Sequence, residues 1–286
     1  MINVLTALAS ITACVMVTAL QAQQTTFTNT VGMEFVRITP GKMIVGEFKP
    51  PYPVPEDTVK GAKRPMVMWM GDGRPYNAKE FQLAKEMATA DSRAGFEVSI
   101  EHPYYIGRFE VTQAQWKQVM GENPSVFQDT AVEDSAHHPV ENVTWEDVQK
   151  FLTRLNEMEP GRRYRLPTEF EWEYAARAGR RGDIAWDETQ KVAQLGGLTT
   201  SAVGGKQPNE WGIYDMLGNV WEWTQDYYNE KIFADPKPPV TGKVHVLKGA
   251  SFVGDVKNAT WFTHAGGPGN GWDVGFRVVM DVTDKR

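Results

Sequence analysis

The chain has 286 residues, 30 Lys+Arg against 36 Asp+Glu, a formal net charge of −6 and one cysteine, Cys14. An acidic balance speaks against nucleic acid as a partner, because phosphate binding needs a basic face. A single thiol excludes an internal disulfide framework and any multi-thiolate metal site.

Residues 1–22 carry no charged side chain, and Val4–Leu20 is an almost unbroken apolar run ahead of Gln21-Ala22-Gln23. The segment reads as a secretory signal with Ala22 at the cleavage point, which leaves residues 23–286 without any cysteine. Two rivals stay open. A retained anchor would sit at the lower length limit for a span. Ile11-Thr12-Ala13-Cys14 is similar to a lipoprotein cleavage box, although the residues after Cys14 stay apolar. Each of the three places the remainder outside the cytoplasm, periplasmic or secreted, with membrane contact only if this segment is retained or lipidated.

Val31–Gly46 alternates apolar and polar residues around Pro40-Gly41, a hairpin-like signal. Residues from about 48 to 97 break the pattern: 49–55 is proline-dense, and 79–93 is charged with weak helical periodicity. They read as an insertion on one domain, since no separate core is evident in them. Three helices follow with explicit start signals. Thr112-Gln-Ala-Gln115 is a capping box with Trp116, Val119 and Met120 as an apolar stripe and Gly121 as a stop. Thr144-Trp-Glu-Asp147 opens the second, whose Val148, Phe151, Leu152 and Leu155 share a face. Thr168-Glu-Phe-Glu171 opens the third, a short helix ending near Ala178-Gly179. Its Glu169 and Glu173 share one side, Glu171 lies away, and all three read as a solvated face matched to the helix dipole. Residues 184–281 are rich in Gly, Pro, Asn and aromatics, with Val244–Lys248 and Gly275–Met280 as the clearest strands. The class is α+β, one compact and loop-rich domain.

Five segments in order identify a family. They are Tyr104–Trp116, His138–Asp147, Tyr164–Arg177, Pro208–Thr224 (PNEWGIYDMLGNVWEWT), and Lys248-Gly-Ala-Ser-Phe252 leading to Gly275-Phe-Arg277. Together they resemble the formylglycine-generating enzyme or sulfatase-modifying-factor domain, over roughly residues 30–282. The resemblance implies a fold related to the C-type lectins. It does not bring the chemistry with it. The enzymes of the family use a cysteine pair that binds copper, and that pair falls here near Gly254 and Ala259, neither of which can form a thiolate. Copper is therefore not expected. Iron of the sulfoxide-synthase branch is not expected either, since His102, His137, His138, His245 and His264 show no His-x₃-His spacing.

The resemblance does carry over a calcium site. Its ligands would be the Asp215 carboxylate, the Gly218 and Val220 carbonyls and the Glu222 carboxylate, a hard all-oxygen set suited to structural Ca²⁺. In the lectin-like architecture, the stretch between Lys248 and Gly275 faces a ligand. Here it contains Asp255, Asn258, Trp261, His264 and Trp272, aromatics and polar groups suited to a protein, peptide or glycan. Ser251 has no argued base, and Gly266–Gly271 reads as a flexible surface loop. The leading expectation is an exported, non-catalytic binding or scaffold module. The alternative is an extracytoplasmic oxidase or maturation enzyme using non-cysteine residues in the same cleft.

Overall fold

The computed structural model describes residues 26–48, 93–182, 184, 186–232, 237–254, 259–267 and 270–282. The predicted signal segment, the body of the predicted insertion, Asp255 and Asn258 lie outside them. Among the described residues, no helix is long and apolar enough to cross a membrane.

The central sheet has five strands in the order β1 (Thr26–Thr28), β2 (Glu34–Ile38), β5 (Tyr104–Gly107), β11 (Val279–Asp281) and β6 (Tyr164–Arg165). Its pairings are antiparallel. Successive residues of a strand point to opposite faces, and here both faces are covered. Phe35, Val278 and Met280 enter one core with Trp116, Phe151 and Trp223. Val36, Ile106 and Val279 enter a second core with Trp172, Ala175 and Trp261. Helices α1 (Gln113–Met120) and α2 (Trp145–Met158) pack on the first face, and α3 (Glu169–Arg177) on the second. A short helix, α4 (Trp186–Val192), follows.

The helix starts appear as the sequence predicts. Thr112, Thr144 and Thr168 each accept from the N3 backbone, while Gln115, Asp147 and Glu171 return the bond to the cap. Val148, Phe151, Leu152 and Leu155 are all buried. Two local readings need correction. The run around Pro40-Gly41 is not a hairpin: β2 stays in the central sheet, whereas β3 (Gly41–Phe48) pairs with β4 (Arg93–Ile100) in a separate ribbon. The chain changes layers at Gly41, where a Cβ would collide with the Tyr174 hydroxyl. The end of the predicted insertion is thus a returning strand.

The second correction concerns Gly266-Gly267. Both belong to β9 (His264–Gly267), which pairs with β8 (His245–Lys248) in a second sheet ordered β10 (Val274–Gly275), β7 (Trp221–Tyr227), β8, β9. A Cβ at Gly267 would run into the Trp223 ring, so that residue belongs to packing.

The run predicted as one strand over 275–280 is divided. β10 pairs parallel with β7, β11 pairs antiparallel with β5, and Phe276–Val278 crosses between the sheets. The crossing is tied by Val111 N to Phe276 O at 2.9 Å and Gly107 N to Val278 O at 2.7 Å. Gly275 has no room for a side chain, because a Cβ would meet the Val140 carbonyl. Gly275→Ala is expected to lower the unfolding free energy by about 1–3 kcal/mol. Urea denaturation measures it, and an unchanged midpoint would contradict this packing.

Candidate functional site

The crossing at Phe276–Val278 delivers Arg277 to the centre of the molecule. Its guanidinium is fully buried and forks onto Glu222, with Nε donating to Oε2 at 2.6 Å and Nη2 to Oε1 at 2.5 Å. Nη1 donates to the Gly107 carbonyl at 3.1 Å, and Nη2 also reaches the Tyr214 and Asp215 carbonyls at 3.1 and 3.3 Å. Trp172 Nε1 adds a 2.6 Å bond to Glu222 Oε2. Two further buried acids flank this pair. Glu110 accepts from Asn219 Nδ2 at 2.7 Å and Val220 N at 3.3 Å, and Asp215 accepts from Gly204 N at 2.6 Å.

One guanidinium therefore faces three carboxylates. Burial, followed by the charges of Asp215 and Glu222, pushes the Glu110 carboxyl well above its ordinary value. Burial likewise pushes Asp215 up to about 6, against the pull of the Gly204 N–H and Arg277.

The predicted calcium ligands lie within this arrangement. Asp215 and Glu222 come together around Arg277, and the loop between them is pinned by its backbone. Gly218 N donates to Gly249 O at 2.8 Å, Asn219 N to Gln194 O at 2.9 Å, and Phe252 N to Asn219 O at 2.9 Å. Gly218 has a φ of 87°, and a Cβ there would overlap the Gln194 backbone, so only glycine fits. Among the described residues, no group of three or more His, Cys, Asp or Glu side chains is gathered as for a metal. An ion here would draw on carbonyls and water as well as on the two acids.

A second buried network lies across Trp172. Lys248, with no exposed surface, places Nζ 3.3 Å from Glu173 Oε2, 3.8 Å from Glu169 Oε1 and 2.9 Å from the Trp261 carbonyl. Arg177 pairs with Glu173 at 2.5 Å, and His264 Nδ1 lies 3.1 Å from Glu169 Oε1. Burial raises the Glu169 carboxyl, but the His264 bond and the Lys248 charge outweigh it and hold the group below its ordinary value. The reading of Glu169 and Glu173 as a solvated face is corrected, since both are buried. Glu171 caps its helix and pairs with Arg165 at 2.6 Å.

The predicted cleft residues occupy three different environments. Trp261 is buried in the second core and lines a cavity of about 290 Å³ that Asp215 also borders. His264 belongs to the Lys248 network. Trp272 is 47% exposed and rests on Phe252 and Phe127, with ring centroids 5.3 and 6.1 Å away. Gly254 and Ala259, near which the resemblance places the family's thiols, are packed. Ala259 is fully buried, and Gly254 N donates to Ser251 O at 2.8 Å in a turn where a Cβ would crowd that carbonyl.

A family model of the sulfatase-modifying factor enzyme 1-like domain matches residues 28–282. The chain belongs to this family. Chaperone protein LppX of Paenibacillus barcinonensis is 30% identical over 237 residues, covering 62% of this chain and 79% of that one. The formylglycine-generating enzyme of Thermomonospora curvata is 33% identical over 180 residues, 54% of each chain. The chain thus spans about half the length of that enzyme. Among solved structures, PvdO from Pseudomonas aeruginosa superposes with a TM-score of 0.66 at 21% identity, over 91% of this chain and 98% of that one. That likeness shows a shared fold.

Within the family framework, sequence reasoning gave no role to Glu110, Arg277, Lys248 or Glu141. The available signal was a charged residue flanked by apolar ones, as in Phe109-Glu-Val111, Phe276-Arg-Val278 and Leu247-Lys-Gly249.

The raised Asp215 carboxyl makes stability depend on pH. It holds its proton more tightly when folded, so its contribution is complete below about pH 4 and is lost as the pH rises through about 6. A shift of about two units corresponds to about 3 kcal/mol. Asp215→Asn removes this loss and keeps a residue that tolerates the φ of 53°. In chelator, the variant is expected to match the parent near pH 4 and to exceed its unfolding free energy by about 2–3 kcal/mol above pH 7. Superimposable pH profiles would contradict the assignment.

Proposed function

We propose that the chain is an exported binding or scaffold module of the sulfatase-modifying-factor family that does not oxidise cysteine, and that it is stabilised by calcium. The observation that carries the reading is the pair Gly254 and Ala259, near which the resemblance places the family's thiols, with Ala259 packed into the core. Without thiolates there is no soft ligand for copper at that place. The Paenibacillus relative is a chaperone protein, which agrees with binding in place of turnover. Export rests on the apolar run Val4–Leu20 and on Ala22. The partner class is a protein, peptide or glycan, supported by the half-exposed Trp272 on its aromatic base.

For calcium, the support is charge and donor type. Asp215, Glu222 and the Gly218 and Val220 carbonyls offer oxygen only. Glu222 has given three of about four lone-pair positions to Arg277 and Trp172, so one remains for an ion. Asp215 has the greater capacity, and its carboxyl is raised by burial against the pull of the Gly204 N–H and Arg277. A bound divalent cation would supply positive charge and fasten the loop between the two acids; its role would be structural.

Purified protein is expected to retain calcium on elemental analysis, without stoichiometric copper or iron. At calcium 100-fold above its dissociation constant, stabilisation is about 2.7 kcal/mol, or roughly 5–10 °C in Tm against chelator. A Tm indifferent to chelator would remove calcium from the proposal. Incubation with a sulfatase-type cysteine peptide is expected to give no aldehyde mass change. Conversion of the peptide would overturn the non-catalytic reading.

A further inference from the structure

Glu141 is a buried acid that neither charged network uses. It has no exposed surface, and its Oε1 accepts from Phe127 N at 2.9 Å. Its Oε2 is buried and makes no hydrogen bond of normal geometry, while the Val126 N–H and the Ser125 hydroxyl lie beside the carboxyl. A buried carboxylate oxygen short of donors is costly to keep, so a donor or cation brought beside it is favoured. Asp273 is the neighbouring charge. Burial first, and then Asp273, push the Glu141 carboxyl above its ordinary value, against the bonds it accepts. Asp273 is itself half-buried, with Oδ2 accepting from Ser251 Oγ at 2.7 Å. Glu169, Glu173 and Glu222 each face a cation. Among the described residues, no Lys, Arg or His is paired with Glu141 or Asp273.

The same residues build an apolar shelf. Phe127, whose backbone holds Glu141, meets Phe252 edge-on at 5.4 Å, and Trp272 leans on both. Trp272 directly precedes Asp273, so a half-exposed indole and an acid share one turn of chain. Val126 and Val253, 53% and 50% exposed, extend the apolar surface. Two carboxylates and one hydroxyl are too few donors for a metal site. An organic cation on an aliphatic stem matches both halves, with its charge toward the acids and its stem along the indole.

We propose that the corner formed by Asp273 and Trp272, with the Glu141 carboxyl buried behind it, receives a lysine or arginine side chain of a partner polypeptide. The proposal rests on the binding-module reading and gives it a ligand chemistry. The shelf supplies contact for the methylenes, and the desolvated acids supply the preference for charge.

The test is calorimetric titration of the full chain with N-acetyl-arginine amide and N-acetyl-lysine amide, against the uncharged N-acetyl-norleucine amide and N-acetyl-citrulline amide. The cations are expected to bind saturably and at least about tenfold tighter than the uncharged analogues. Asp273→Asn and Trp272→Ala are each expected to weaken cation binding by about fivefold or more, with Tm near that of the parent. Glu141→Gln keeps the shape and the bond from Phe127 N, and is expected to weaken binding without lowering Tm. Equal affinity for charged and uncharged analogues, absence of saturable binding, or insensitivity to the variants would overturn the proposal. Such a failure would leave a folded, non-oxidising protein, whereas failure of the underlying reading would appear as aldehyde formation in the peptide assay.

Discussion

The Arg277–Glu222 pair is the interaction on which the rest of the structure depends. Arg277 lies where the chain crosses from β10 to β11, and its three guanidinium nitrogens make five hydrogen bonds that reach β7, the end of β5 and the Tyr214–Asp215 loop. Each of these groups belongs to a different part of the sequence. Buried ion pairs are weak evidence for net stability, but loss of one partner strands the other charge at a cost of about 3–5 kcal/mol. The pair therefore acts as a registration device.

The Lys248 network does the same work on the other side of Trp172. Lys248 ends β8, Glu169 and Glu173 lie on α3, His264 starts β9, and the Trp261 carbonyl closes the group. Trp172 stands between the networks, bonded to Glu222 by its indole N–H and covered by the Lys248 ammonium 5.5 Å from its ring. A fold with short strands, long loops and no disulfide needs such fastenings, because regular hydrogen-bond ladders cover little of it. The same framework would hold the family scaffold together without thiols at its reactive positions. Gly254 and Ala259 are packed residues that take no part in either charged network.

What was legible in the sequence was local. The capping boxes at Thr112, Thr144 and Thr168 involve residues three apart, so their meaning survives without tertiary information. The α+β class and the family segments were legible for a related reason, since long motifs carry many local constraints at once. Pairing was not. Alternation around Pro40-Gly41 identified two strands but could not say that they join different sheets, because register depends on partners far along the chain. Glu169 and Glu173 were assigned to one side of a helix correctly, but nothing local showed that Lys248 and His264 wait there. The candidate site divided likewise: Asp215 and Glu222 are neighbours as the motif implies, whereas Trp261, His264 and Trp272 belong to a core, a charge network and a surface shelf.

The central claim is that buried charge, anchored by Arg277, holds this loop-rich fold together. Native-state hydrogen exchange tests it most directly. The amides of Gly107, Val111, Gly218 and Val220, all in loops or strand ends near the networks, are predicted to exchange only through global unfolding, with opening free energies equal to that of the whole domain. Exchange of these amides in the low-energy class typical of surface loops would contradict the account.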